Sequence, residues 1–145
     1  MISPMNLPTL FKSTKVLVVG DIMLDRYWWG NVSRISPEAP VPVVSHENTT
    51  LVAGGAANVA ANIAGLGANA RLIGITGKDV AATLMPDVLS NTGVSEFDLI
   101  PIDGRKTTVK TRIIAHNQQI ARLDSESTHD LSDTEAAFVF EKIKE

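Results

Sequence analysis

Two glycines and an asparagine carry the strongest chemical signal in the chain. Ala53-Gly54-Gly55-Ala56-Ala57-Asn58 runs directly into apolar residues at helical spacing. Backbone without side chains ahead of a helix lets a ligand approach closely, and the free N–H groups of a first helical turn favour an anion or a hydroxyl oxygen. Asn58 adds a donor and an acceptor. The same residues would also serve as a tight strand-to-helix turn. They match neither G-x-G-x-x-G nor G-x-x-x-x-G-K-[ST], so no dinucleotide or Walker-type site is indicated. Asp21 and Asp25 follow the apolar run Val16–Val19, where open α/β sheets bind ligands. Carboxylates there can accept hydrogen bonds from sugar hydroxyls, although either aspartate alone reads first as a cap or loop residue. Arg34, Lys110, Arg112 and Arg122 are solvated charges unless the ligand carries a phosphate. His46, His116 and His129 share no metal-ligand spacing and read as surface residues. Trp28-Trp29 reads as flap packing or a subunit contact rather than a stacking platform.

These residues need elements to hold them. Val16–Val19 is a continuous β-branched run ending at Gly20-Asp21, the pattern of a parallel strand buried on both faces. Val59, Ile63 and Leu66 give a helix its apolar stripe, with Gly67 as its stop. Leu72–Ile75 and Phe97–Ile100 read as further strands. Between them Asp79 to about Ser90 reads as a helix that Pro86 kinks or breaks. The β-α-β-α-β order predicts an α/β fold with a mostly parallel sheet. Two segments fall outside that rhythm: 27–52, with two tryptophans and three prolines, and 107–124, which alternates as a hairpin interrupted at Asn117-Gln118. Together they predict a small antiparallel flap over the main sheet. Ser132-Asp133-Thr134-Glu135 is a capping box opening a last helix with the stripe Ala136, Val139, Phe140 and Ile143. That helix has no stop signal, and its apolar face is expected to lack partners.

Composition narrows the function classes. The 145 residues carry a net charge of −3, which argues against a broad nucleic-acid surface. No apolar run approaches a membrane span, and Met1-Ile2-Ser3-Pro4 lacks the order of a signal peptide. The absence of cysteine excludes disulfides, thiolate zinc sites and a Cys nucleophile. The expectation is a globular cytoplasmic protein with no nucleic-acid or membrane partner.

Gly54-Gly55-Ala56-x-Asn58-x-Ala60, followed by Gly67 and Gly77, resembles the amino-terminal signature of the ribokinase-like (PfkB-type) carbohydrate kinases. Gly20–Trp28, Arg34–Val43, Asn117-Gln118-Gln119 and Arg122-Leu123-Asp124 look like the heptose 7-phosphate kinases of lipopolysaccharide core synthesis. The resemblance implies residues 1–14 as an extension and 15–145 as the amino-terminal half of a ribokinase-like domain, with lid segments at about 27–52 and 107–124. It implies a sugar phosphate held by Asp25, Gly54, Gly55 and Asn58, with Asp21 nearby and Arg112 and Arg122 on its phosphate. It also implies a possible homodimer through the lid. Met23 stands where ribokinases carry a polar substrate contact, which speaks against ribose. ATP and Mg²⁺ belong to the complete enzyme, and the resemblance assigns them no residue here. The family's catalytic aspartate lies in a Gly-Ala-Gly-Asp segment that does not occur in these 145 residues, so the chain itself is expected to be inactive. The rival expectations are a non-catalytic sugar-phosphate-binding or dimerisation module, and a related kinase for another sugar.

Overall fold

The computed structural model describes residues 7–145; the signal-peptide reading of Met1–Pro4 lies outside them. The elements, in chain order, are α1 (Leu7–Ser13), β1 (Lys15–Val19), β2 (Ile22–Ile35), β3 (Pro42–Gly55), α2 (Ala56–Gly65), β4 (Asn69–Thr76), α3 (Val80–Ser90), β5 (Glu96–Pro101), β6 (Thr108–Ala115), β7 (Gln118–Ser125) and α4 (Asp133–Lys144). They form two sheets. β1, β4 and β5 make a parallel sheet in the order β1-β4-β5, and β3, β2, β6 and β7 make a second one in that order. The expected α/β architecture with a lid is therefore present.

Helices cover both faces of the parallel sheet. Alternation sends Leu72, Phe97 and Leu99 to one side, where they pack with Ala57 and Ala60 of α2 and Met85 and Leu89 of α3. Ile73, Ile75 and Ile100 face the other side and meet Val139 and Ile143 of α4. The last helix therefore has partners for half its stripe, contrary to expectation, whereas Phe138 and Phe140 are exposed. Its capping box forms as the sequence indicates: Glu135 N–H donates to Ser132 Oγ, and Ser132 N–H donates back to the Glu135 carboxylate.

Three local expectations need correction. β1 is an edge strand and not a doubly buried one, and Leu17 and Val19 stay 43% and 45% exposed. Only Ile63 of the stripe expected for α2 packs on the core, since Val59 and Leu66 are exposed while Ala57 and Ala60 are fully buried. Small side chains let the helix lie close to the sheet, and that closeness buries them. Pro86 does not break α3: Met85 and Leu89, both fully buried, anchor the helix on either side of it, and Asp79 caps its start through Ala82 N–H at 2.9 Å.

The lid is a mixed sheet, not the antiparallel flap expected. β2 pairs antiparallel with β3 over its whole length but runs parallel to β6, and β6 and β7 close an antiparallel hairpin. The turn is His116-Asn117, one residue earlier than expected, with both residues at positive φ as a two-residue primed turn demands. The buried face of β6 is Val109, Thr111 and Ala115, as the alternation indicates. A polar knot fastens lid to core just before β6. Thr107 N–H donates to Asp79 Oδ2 at 2.8 Å, and Gly77 N–H donates to Thr107 Oγ1 at 2.9 Å. Burial alone would raise the Asp79 pKa, but the N–H groups of Thr107 and Ala82 outweigh it and hold the carboxyl below its ordinary 3.8.

Candidate sugar-phosphate site

Only three residues separate the end of β1 from the side chain of Met23, and β2 then carries Met23, Asp25, Tyr27 and Trp29 along one face. Register places Lys110 beside Asp25 and Arg112 beside Tyr27 on β6, with Asp124 and Arg122 next to them on β7. On the other flank, β3 pairs Gly54 with Met23 and Val52 with Asp25. This face of the lid is thus polar near its root and aromatic further out, where Tyr27 stacks on Trp29 at 5.9 Å.

The predicted residues occupy this face unequally. Asp25 Oδ1 accepts a hydrogen bond from Arg112 Nη1 at 2.5 Å, and the two side chains are only 21% and 23% exposed. That bond to Asp25 is the main reason the Arg112 pKa is raised, and the Arg112 guanidinium also lies over the Tyr27 ring at 5.3 Å. Gly54 borders the same carboxylate: a Cβ there would stand 2.6 Å from Asp25 Oδ2. Gly55 has φ +58, open to glycine at little cost, and ends β3 against the Asp21 carbonyl, which accepts Ala56 N–H at 2.9 Å. No side chain caps α2. Asn58 is exposed in that first turn, its Oδ1 and carbonyl both accepting from Asn62 Nδ2. Arg122 is exposed and paired with Asp124 at 3.0 Å. Asp21 stands apart, exposed at the mouth of a cleft of about 420 Å³ that it lines with Met23, Arg105, Lys106, Thr108 and residues 126–131.

The structure therefore brings Asp25, Gly54 and Arg112 together and leaves Asp21, Asn58 and Arg122 around them. Sequence reasoning missed Tyr27, Arg105 and Thr108. Period-two spacing from Asp25 would have found Tyr27, whereas Arg105 and Thr108 depend on the fold. His46, His116 and His129 are surface residues, and Trp29 is held by Thr50 Oγ1 at 3.0 Å. Among the described residues no group of three or more His, Asp or Glu is placed to hold a metal ion. No helix among them is long and apolar enough to cross a membrane.

A helix-flanked parallel sheet, a lid rooted at its carboxyl edge and an acid-base pair beside a Gly-Gly turn define a lidded α/β fold of the ribokinase type. A carbohydrate kinase from Agrobacterium tumefaciens matches it with a TM-score of 0.61 at 26% identity, over 77% of this chain and 35% of that one. Arabidopsis thaliana ribokinase, solved with ribose and ATP, matches at 0.57 and 21% identity over 75% and 35%. The family model described as "pfkB family carbohydrate kinase" matches residues 13–145, and the chain belongs to that family. The bifunctional protein HldE of Klebsiella pneumoniae is 54% identical over 116 residues, 80% of this chain and 24% of that protein. HldE of Photorhabdus laumondii is 49% identical over 97% of this chain and 29% of that protein. The chain thus spans about a quarter of the curated relatives it matches.

Proposed function

We propose that this chain forms the sugar-binding and lid portion of an ATP-dependent kinase acting on the C1 hydroxyl of D-glycero-β-D-manno-heptose 7-phosphate. Family membership supports ATP-dependent sugar phosphorylation, and the motifs of Gly20–Trp28 and Arg34–Val43 support the heptose. The single observation that carries the reading is the juxtaposition of Asp25, Gly54 and Arg112: a carboxylate for sugar hydroxyls, bare backbone beside it, and a guanidinium for phosphate. Asp25 orients the sugar, Gly54 and Gly55 keep the approach clear, and Asn58 contributes an amide from the helix start. Arg112 and Arg122 neutralise the substrate's own phosphate, which a chain of net charge −3 must do locally. ATP and Mg²⁺ supply the phosphoryl group and its charge compensation, and no step is assigned to them on residues of this chain. The far part of the lid face that carries Trp28 and Leu123, both exposed, is the surface proposed for a homodimer.

Calorimetric titration tests the reading. The chain should bind heptose 7-phosphate without ATP and bind ribose far more weakly. With no Gly-Ala-Gly-Asp segment in its 145 residues, the same preparation should show no ATP-dependent turnover above a no-protein control. Failure to bind any sugar phosphate, in folded protein, would remove the proposal.

A further inference from the structure

One oxygen of the carboxylate that should receive a sugar hydroxyl is already occupied. Asp25 Oδ1 holds Arg112, whereas Asp25 Oδ2, which borders Gly54, accepts no hydrogen bond from the described residues. Arg112 is itself poised between two sets of partners. Tyr27 lies under its guanidinium, Asp25 is ahead of it, and Arg122 stands directly across on β7, a like charge whose repulsion Asp124 only partly relieves. Lys110 stands in register between Asp25 and Asp124, and among the described residues it has no ion-pair partner. An anion arriving on this face would meet three cations, of which Arg112 sits between the other two along β6 and β7. It would satisfy the Arg112–Arg122 repulsion while competing with Asp25 for the same guanidinium.

Resting on the reading above, we propose that Arg112 is a specificity-determining residue that works by exchange. The phosphate of the sugar draws Arg112 off Asp25, and Oδ1 is then free to accept a sugar hydroxyl alongside Oδ2. A sugar without phosphate must break the pair unaided, so the site discriminates against it twice: once for the missing phosphate contact and again for the ion pair left in place. The Tyr27 ring allows the guanidinium to shift while keeping its stacking partner.

The test pairs two probes on the 145-residue chain. The first is inorganic phosphate, followed by the side-chain ¹⁵N–¹H signals of Arg112. Phosphate should shift them saturably, and Asp25→Asn, which removes the competitor, should tighten phosphate binding about tenfold, the scale of one charge-assisted bond. Asp124→Asn serves as the control for loss of a nearby charge and should tighten it less. The second probe is heptose 7-phosphate against its dephosphorylated form. Arg112→Gln should weaken the phosphorylated sugar about tenfold or more yet strengthen the dephosphorylated one, because Asp25 is released. Equal weakening of both sugars, or an unchanged affinity for the dephosphorylated one, overturns the exchange. So does an Asp25→Asn effect no larger than that of Asp124→Asn. If phosphate behaves as stated and neither sugar binds, only the release of Arg112 by phosphate stands, and both the sugar half of the exchange and the sugar-kinase reading fail.

Discussion

Gly54→Ala probes the site with a single methyl group. The added Cβ would lie 2.6 Å from Asp25 Oδ2, where an ordinary carbon–oxygen contact is about 3.4 Å, so the carboxylate must retreat by about 0.8 Å. At the end of a short side chain that is a rotation of about 20°, costing on the order of 0.5–1 kcal/mol, and the bond to Arg112 is strained with it. The expected stability loss is about 1–2 kcal/mol, because the nearest atoms the methyl meets belong to the Asp25 and Met23 side chains and the position does not require positive φ. The binding loss should be larger. A hydrogen bond to a charged group contributes about 1.5–3 kcal/mol, and a displaced acceptor forfeits most of it, so affinity for heptose 7-phosphate should fall at least about tenfold. Urea unfolding and calorimetric titration of the same preparation separate the two quantities. Unchanged binding in the folded variant would refute the placement of the sugar at Asp25. A stability loss above about 4 kcal/mol would show that Gly54 serves packing instead.

The polar knot at Asp79 gives two further expectations. Asp79→Ala removes a helix cap and the acceptor of Thr107 N–H, and should cost about 2–3 kcal/mol; its hydrogen exchange should rise first in β6, and protection unchanged there would mean the knot does not fasten the lid. Because the folded-state pKa of Asp79 lies below its unfolded value, its contribution is complete above about pH 4 and disappears as pH falls through the lower folded value. Thermal unfolding from pH 6 to pH 2 should therefore show an acid limb that is shallower in Asp79→Asn, and parallel curves would dismiss the linkage. The bare outer edge of β1 with exposed Leu17 and Val19, together with Phe138 and Phe140, should make the chain associate at high concentration. Leu17→Lys should lessen it, and sedimentation of a monodisperse wild-type monomer at every concentration would count against this.

The strands of the parallel sheet are legible because Val16–Val19, Leu72–Ile75 and Phe97–Ile100 are β-branched and aliphatic runs bounded by turn residues. Burial is less legible. Val59, Ile63 and Leu66 draw the eye as a core stripe, yet of these only Ile63 packs on the core and Ala57 and Ala60 are the fully buried residues, since apolar pattern cannot tell how closely a helix approaches a sheet. Pro86 misleads for a related reason: local propensity argues for a break, and the burial of Met85 and Leu89 overrides it. In the site, Gly54 and Asp25 announce themselves by type and spacing. Their union with Arg112 does not, because it joins positions 87 residues apart through the parallel pairing of β2 with β6, which no local pattern encodes.

The long second strand also sets the mechanics of the lid. β2 begins at Ile22 and Leu24, both packed in the core, and continues for 14 residues to Ile35, at most about 45 Å. Held by that packed root, it would act as a lever pivoting at Ile22. A tilt of about 5° there sweeps the far tip through roughly 4 Å, yet moves Asp25, some 10 Å from the pivot, by less than about 1 Å. The Asp25 carboxylate is therefore nearly stationary while the tip travels. A tether placed on loop 36–41 at that tip would report lid motion with high mechanical gain.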